Sequence, residues 1–298
     1  MKILVSVRSV EEALLAASSG VDFIDLKEPS GGALGGLPAP TIRAIVAALR
    51  QQGRGLPVSA TIGDVPMADA SRIAACVAAV GACGVDYVKV GIERVPQAIA
   101  VLDMLASSGW PIVPVFIADH GLDAAHVANA CTLGFPGLMA DTADKHAGSL
   151  FDVMSAADLH HFVVTVRAAG KMVGLAGALR LEHQPLLAAL KPDFAGFRTA
   201  VCVSGRESAL DPQRLQALAA LMHRRPVTEA GCSPTLLNRQ TASVSSRRRS
   251  TQSMRLLNPS MRKFNAATSS CTRAMCRSSD ATRTVRSSSL VSTRSSVT

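Results

Sequence analysis

The sequence predicts an α/β fold in which parallel strands alternate with helices, and three observations support this. Short runs rich in β-branched residues recur eight times within about the first 225 residues, and a longer Ala- and Leu-rich segment follows each run. The runs are apolar on both faces, as expected of strands that are covered by helices. Eight strand–helix units in this length are typical of a closed TIM (β/α)8 barrel.

The predicted strands are short and are separated by segments with helical spacing. They cover residues 2–7, 23–27, 57–63, 87–91, 111–119, 137–142, 172–179 and 194–201. The alternative is an open doubly wound sheet, which often carries a glycine-rich dinucleotide turn after its first strand. Here that turn reads SVRSVEEA and contains no glycine. The barrel is therefore favoured.

The predicted helices carry recognisable start signals. In the first helix Ser9 stands three residues before Glu12, which is the spacing of a capping box. In the last, Asp211 is the predicted N-cap and Pro212 occupies the first helical position. A helix between the sixth and seventh strands has one apolar face, which comprises Leu159, Phe162, Val163 and Val166.

The C-terminal quarter of the chain differs from the rest in charge and composition. Residues 227–298 contain twelve Lys or Arg and two acids, a net charge of +10, so the chain's total of +9 leaves −1 for residues 1–226. Of those last 72 residues, 27 are Ser or Thr, and apolar residues follow no helical or strand period. This composition predicts a disordered basic tail after a barrel domain of residues 1–226. A GC-rich gene read in a shifted frame gives similar sequence, and both interpretations stay open.

Composition disfavours two classes of function. The tail's scattered cations could bind nucleic acid, but Phe264 is its single aromatic residue for stacking. No apolar stretch approaches the roughly 18 residues of a membrane span, and the N-terminus lacks a signal-peptide cleavage site. We expect a cytoplasmic protein that acts on a small molecule without a nucleic-acid or membrane partner. The sequence leaves homo-oligomer formation open.

Charged residues cluster at the ends of the predicted strands, where barrels carry their active sites. The second strand contains Asp25 and Lys27, which project from the same side because strand side chains alternate. The other strand ends contribute, in chain order, Lys89, Asp141, Lys145, Gly177, Ala178 and Arg198.

Lysines and carboxylates at one barrel mouth have two interpretations. Buried charges need partners, so the residues could form an ion-pair network that ties strand ends together. Lysine within a strand is an uncommon packing choice, however, and it occurs at both Lys27 and Lys89. An amine crowded by other cations and partly desolvated can lose its proton and form a Schiff base with a carbonyl. A second lysine or an aspartate can then move protons at the neighbouring carbon.

The last two strand ends indicate a phosphate site. At Gly177 and Ala178 the backbone N–H groups could approach a phosphate, and Arg198 could balance its charge. A tight turn at Gly177 would explain the glycine equally well. Together the strand ends favour lysine-based carbonyl chemistry on a small phosphorylated substrate.

Three segments resemble a known family. DFIDLKEPSGGALGG, DYVKVGIE and GLMADTADKHAGSLFD are similar, in this order, to signature segments of (5-formylfuran-3-yl)methyl phosphate synthase, also called 4-(hydroxymethyl)-2-furancarboxaldehyde-phosphate synthase. The resemblance extends to about residue 225 and excludes the tail. It implies a barrel lyase without cofactor or metal. Such an enzyme condenses two molecules of glyceraldehyde 3-phosphate, with loss of phosphate and water, in methanofuran-type cofactor biosynthesis.

The resemblance also implies roles for individual residues. Lys27 matches the Schiff-base lysine and Lys89 the proton acceptor. Asp25, Asp141 and Lys145 match other active-site positions, and their charges suggest, in that order, orientation of the amine, proton transfer and phosphate neutralisation. A different Schiff-base aldolase or phosphate-binding barrel enzyme would share the lysines without the condensation, and it remains the alternative.

Overall fold

The computed structural model describes residues 1–32, 34–144 and 148–223, which contain one closed parallel barrel. The strands follow chain order around the barrel, and pairing of the first with the eighth closes it. Their bounds are β1 Lys2–Val7, β2 Phe23–Leu26, β3 Val58–Thr61, β4 Tyr87–Ile92, β5 Ile112–Ile117, β6 Gly137–Asp141, β7 Met172–Leu175 and β8 Phe194–Phe197. The predicted TIM (β/α)8 barrel is confirmed. The predicted tail, residues 227–298, lies outside the described residues.

Helices connect successive strands, as predicted. Their bounds are α1 Val10–Ser18, α2 Ala39–Gln51, α3 Ala70–Gly81, α4 Ala98–Ala106, α5 Ala124–Thr132, α6 Leu150–Val153, α7 Ala156–Ala168, α8 Gln184–Leu190 and α9 Pro212–Met222. The short α6 was not predicted and gives the connection between β6 and β7 a second helix. Within the described part of the chain, no helix is both long enough and apolar enough to span a membrane.

Strand alternation divides the apolar residues between two cores. Outward residues such as Ile3, Val5 and Ile24 belong to the larger core, which also contains the buried faces of the helices. Inside the barrel lies a smaller cluster that includes Leu4 and Phe23. Apolar side chains therefore fill the amino-terminal part of the barrel, and polar side chains are left for its carboxyl end.

The cap of α1 is only partly as predicted. Ser9 Oγ accepts a hydrogen bond from the Glu12 amide (3.3 Å), but the Glu12 carboxylate does not complete a capping box. It accepts instead from the Arg8 amide (3.0 Å) and pairs with the guanidinium of Arg198. Glu12, which the sequence pattern assigns to a capping box, therefore forms a long-range ion pair with Arg198 instead. At α9, Asp211 caps the helix as predicted.

β7 ends four residues earlier than predicted because the backbone conformation changes there. Gly177 and Ala178 have φ angles of 112° and 45°, in the left-handed region that cannot continue a strand. This region is unfavourable for alanine, so the surrounding structure must stabilise the turn at Ala178.

Candidate active site

Four of the predicted site residues converge at the carboxyl end of the barrel. Asp25 lies in β2 and Lys27 directly follows it, while Lys89 lies in β4 and Asp141 ends β6. All four side chains line one cavity, and none of the four residues is more than 7% exposed. Lys145 lies outside the described residues. The inward alternation that the sequence predicted for β2 is confirmed.

Asp25 occupies the centre of a hydrogen-bonded row across β1, β2 and β3. The strand register places Ser6 and Ser59 directly beside it. Ser59 Oγ donates to one carboxylate oxygen at 2.6 Å, and Ser6 Oγ donates to the other at 3.0 Å. Lys89 Nζ lies 2.9 Å from the first oxygen. The carboxylate is thus held by three donors from three strands.

These contacts keep Asp25 ionised. Burial alone would raise the pKa of Asp25, but the charges of Lys89 and Lys27, together with hydrogen bonds from Lys89 and Ser59, hold that pKa below its ordinary value. Desolvation and nearby cations oppose each other here, and the cations prevail. Asp25 is therefore a fixed negative charge beside two amines.

Lys27 pairs across the barrel with Asp141. Its Nζ lies 3.4 Å from Asp141 Oδ2, and both side chains are buried. The other oxygen, Oδ1, accepts a hydrogen bond from the Thr142 amide at 2.8 Å. The backbone of Lys27 is tied to β1 because its amide donates to the Val7 carbonyl at 3.0 Å. The amine and its carboxylate are therefore both held in place.

The observed pairing of charges differs from the predicted pairing. Asp25 was expected to orient the amine of Lys27, its neighbour two positions along the strand. In the structure its ion-pair partner is Lys89, and Lys27 pairs with Asp141. Two lysine–carboxylate pairs therefore lie in one small cavity, and their four charges cancel.

Arg198 also lines the cavity, but its guanidinium is fully engaged by the protein. Nη1 donates to the Ser6 carbonyl (3.0 Å) and to Glu12, and Nη2 donates to Glu12 (3.1 Å) and to the Ser208 carbonyl (2.8 Å). Nε donates to the Arg206 carbonyl at 2.8 Å. All five N–H groups thus have acceptors, which leaves none for the phosphate that the sequence suggested.

Gly177 and Ala178 line the same cavity. The Gly177 carbonyl accepts from the Leu150 amide at 2.9 Å, while the amides of Gly177 and Ala178 have no acceptor among the described residues. A Cβ at Gly177 would lie only 3.0 Å from the side chain of Thr142. These two amides could therefore donate to an anion in the cavity.

Sequence reasoning missed three residues of this site. Ser6 and Ser59 are hydroxyl residues at inward positions of otherwise apolar strands, and that signal could have identified them. Arg206 lies in the loop between β8 and α9 and reaches the cavity lining. Its sequence position in SGRES carries no comparable signal.

The fold and the site together define a class of protein. The structure is a (β/α)8 barrel with a buried lysine–aspartate site at the carboxyl ends of its strands, which is where barrel enzymes carry their catalytic groups. Within that class, the family model described as 4-HFC-P synthase matches residues 3–219. The chain belongs to this family, and the predicted resemblance is confirmed.

Individual relatives support the same assignment. The chain is 34% identical over 240 residues to the (5-formylfuran-3-yl)methyl phosphate synthase of Archaeoglobus fulgidus, covering 75% of this chain and 100% of that protein. It is 32% identical over 236 residues to the synthase of the same name from Methanosarcina mazei, with 74% and 98% covered. A Methylorubrum extorquens protein, provisionally given this name, is 39% identical over 230 residues, with 77% and 94% covered.

Solved structures show similarity of fold alone. Phosphoribosyl anthranilate isomerase from Thermus thermophilus superposes with a TM-score of 0.52 at 18% identity, covering 74% of this chain and 98% of that chain. Dihydrodipicolinate synthase from Bacillus clausii superposes with a TM-score of 0.51 at 13% identity, with 74% and 73% covered.

Proposed function

We propose that this protein condenses two molecules of glyceraldehyde 3-phosphate to 4-(hydroxymethyl)-2-furancarboxaldehyde phosphate, with loss of phosphate and water, in methanofuran-type cofactor biosynthesis. The observation that carries the proposal is the pair of buried lysines, Lys27 and Lys89, each with its own carboxylate in one cavity. Membership of the 4-HFC-P synthase family supports the choice of product. The enzyme would be a lyase that acts on a phosphate ester.

Lys27 is the proposed nucleophile. Its amine must be neutral to add to the aldehyde carbon, and the Asp141 carboxylate 3.4 Å away is the group within reach of its proton. The carbinolamine that forms then loses water to give an imine, with Asp141 returning the proton to the departing hydroxyl. Water leaves and a C=N bond forms, so the protonated imine can withdraw electrons from the neighbouring carbon.

Lys89 is the proposed proton acceptor at that carbon. Lys89 first releases the proton of its ammonium to solvent, and its neutral amine then removes the substrate proton, which converts the imine into an enamine. The Asp25 carboxylate at 2.9 Å stabilises the ammonium that Lys89 becomes again. Because the pKa of Asp25 is held low, the carboxylate does not take the proton itself. Lys89 can then return it to the alkoxide that forms when the enamine carbon attacks the aldehyde of the second triose.

Elimination completes the proposed reaction. Loss of one phosphate and of water from the condensed chain produces the aromatic furan, whose stability favours the overall reaction. Hydrolysis of the imine then releases the aldehyde product and regenerates the Lys27 amine. The amides of Gly177 and Ala178, which have no acceptor among the described residues, are suited to hold a phosphate. Lys145 keeps its proposed role of phosphate neutralisation.

Borohydride trapping tests the assignment of the two lysines. Wild-type protein incubated with glyceraldehyde 3-phosphate and borohydride should gain one covalent adduct by intact mass, and peptide mapping should place it on Lys27. Lys27→Ala should gain none, while Lys89→Met should still be trapped but should form no furan chromophore. Lys2→Ala, at the opposite end of the barrel, is the matched control and should behave as wild type. An adduct that persists in Lys27→Ala would refute the assignment of Lys27 as the nucleophile.

The product distinguishes the proposal from the alternative. Another Schiff-base aldolase would be trapped on Lys27 but would form no furan from glyceraldehyde 3-phosphate alone. Absorbance and mass analysis of the small-molecule fraction therefore decide between the two activities.

A further inference from the structure

We infer that Arg206 binds a phosphate group of the substrate. The inference rests on the proposed function in one respect, because it takes the substrate to be a phosphate monoester. It assigns a binding residue that neither the strand-end pattern nor the resemblance indicated.

The charges that line the cavity support this assignment. Asp25, Lys27, Lys89 and Asp141 form two neutral pairs, and Arg198 is balanced by Glu12. Arg206 is the remaining charged residue of the lining, and no carboxylate of the described residues lies within 4.0 Å of its guanidinium. Among the described residues, Arg206 is therefore the lining cation that no nearby carboxylate compensates, so it can attract a phosphate that enters the cavity.

The guanidinium of Arg206 also has donors to spare. Within the described residues, its side chain donates one hydrogen bond, from Nη2 to the Gly32 carbonyl at 3.0 Å. A guanidinium carries five N–H groups in a planar fork that matches the oxygens of a phosphate. Arg198, in contrast, has acceptors on all five. The two arginines therefore differ in role. Arg198 stabilises the protein, and Arg206 has N–H groups that can bind a ligand.

Arg198 fixes the loop that carries Arg206. Its Nε donates to the Arg206 carbonyl and its Nη2 to the Ser208 carbonyl, each at 2.8 Å. Across the same loop, the Val203 amide donates to the Ala209 carbonyl at 3.0 Å. A binding residue on a braced loop loses little conformational freedom when its ligand arrives.

The position of Arg206 fits the rest of the proposed phosphate site. The loops after β7 and β8 form a phosphate site in many barrels. Here the loop after β7 contributes the amides of Gly177 and Ala178, for which the described part of the chain offers no acceptor. On its other side, Arg206 contacts the glycine-rich loop after β2 through Gly32. The Arg206 side chain therefore joins the loop after β8 to the loop after β2 at the edge of the cavity.

Binding of inorganic phosphate to the full-length protein tests the inference without reference to the reaction. Titration followed by ³¹P NMR should show saturable binding to wild type. Arg206→Met should weaken it at least about tenfold, the loss expected for one charge-assisted hydrogen bond. Arg206→Lys should lie between the two, since it keeps the charge but loses the fork. Arg180→Met is the matched control, because Asp152 and Glu182 already neutralise Arg180.

A second measurement links the site to the substrate. The rate of borohydride trapping with glyceraldehyde 3-phosphate, divided by the rate with glyceraldehyde, should fall at least about tenfold in Arg206→Met and stay at the wild-type value in Arg180→Met. Three results would overturn the inference. Wild type and both Arg206 variants could bind phosphate equally, wild type could fail to bind phosphate, or the ratio of trapping rates could be unchanged in Arg206→Met. If wild type forms no furan while the ratio still falls, the proposed function fails and the phosphate site stands.

Discussion

Replacing Asp25 by Asn should destabilise the protein by an amount that its burial determines. The side chain keeps its shape, but Lys89 is left as a buried cation whose carboxylate partner at 2.9 Å has gone. Breaking a buried pair from one side costs about 3–5 kcal/mol, because the remaining charge is desolvated without compensation. Urea unfolding at pH 7 measures this change in the free energy of unfolding.

Two further variants separate the buried charge from other effects. Asp25→Asn combined with Lys89→Met removes both charges, so it should be more stable than Asp25→Asn alone. Glu182→Gln breaks an exposed pair with Arg180 (3.4 Å, side chains 68% and 52% exposed) and should change stability by no more than about 1 kcal/mol. If Asp25→Asn unfolds at the same urea concentration as Glu182→Gln, the reasoning from burial is refuted.

The pH dependence of the same comparison follows from the lowered pKa of Asp25. A carboxyl whose pKa is lower in the folded than in the unfolded state stabilises the protein fully above its unfolded value, here 3.8, and loses that contribution as the pH falls through the folded value. The difference in stability between wild type and Asp25→Asn should therefore be constant near neutral pH. It should shrink below about pH 3.8. A difference that grows on acidification would contradict the sign of the pKa shift.

Two further predictions concern the turn at Gly177 and the basic residues 227–298. Gly177→Ala should lower the midpoint of thermal unfolding, because a side chain at this φ of 112° is strained and its Cβ would lie 3.0 Å from Thr142. The strain should cost about 1–3 kcal/mol of the free energy of unfolding. An unchanged midpoint would contradict this prediction. Deleting residues 227–298 should remove any retention on a heparin column, because these residues carry a net charge of +10 and residues 1–226 carry −1. The rate of furan formation should not change, and a large loss of rate would show that the tail contributes to the reaction.

Much of the architecture could be predicted because its determinants are local. Strand side chains alternate and helices repeat about every 3.6 residues, so each strand and its inward face could be read from a few adjacent residues. The apolar runs identified eight strands, and alternation placed Asp25 and Lys27 on the inward face of β2. Because all strands of a parallel barrel run in the same direction, the residues at their carboxyl ends meet at one mouth of the barrel.

The partners of these residues could not be predicted, because pairing depends on how the barrel closes. Asp25 and Lys27 are separated by two positions along a strand, which is about 6–7 Å, and lie in different layers of the barrel. Lys89 comes from β4, on the far side of β3, and its long side chain reaches Asp25 at 2.9 Å. The strand register that permits this contact is a property of the closed sheet.

Arg198 shows the same division between local and distant causes. Its place at the end of β8 followed from the strand pattern, but its partner Glu12 is 186 residues away and reads in sequence as part of a helix cap. The sequence by itself determined the strands, the inward faces and the charged residues at the barrel mouth, because each depends on neighbours along the chain. Only the tertiary structure decided which charges of the described residues pair with each other, because those pairings require strands and loops that are far apart in the chain to meet.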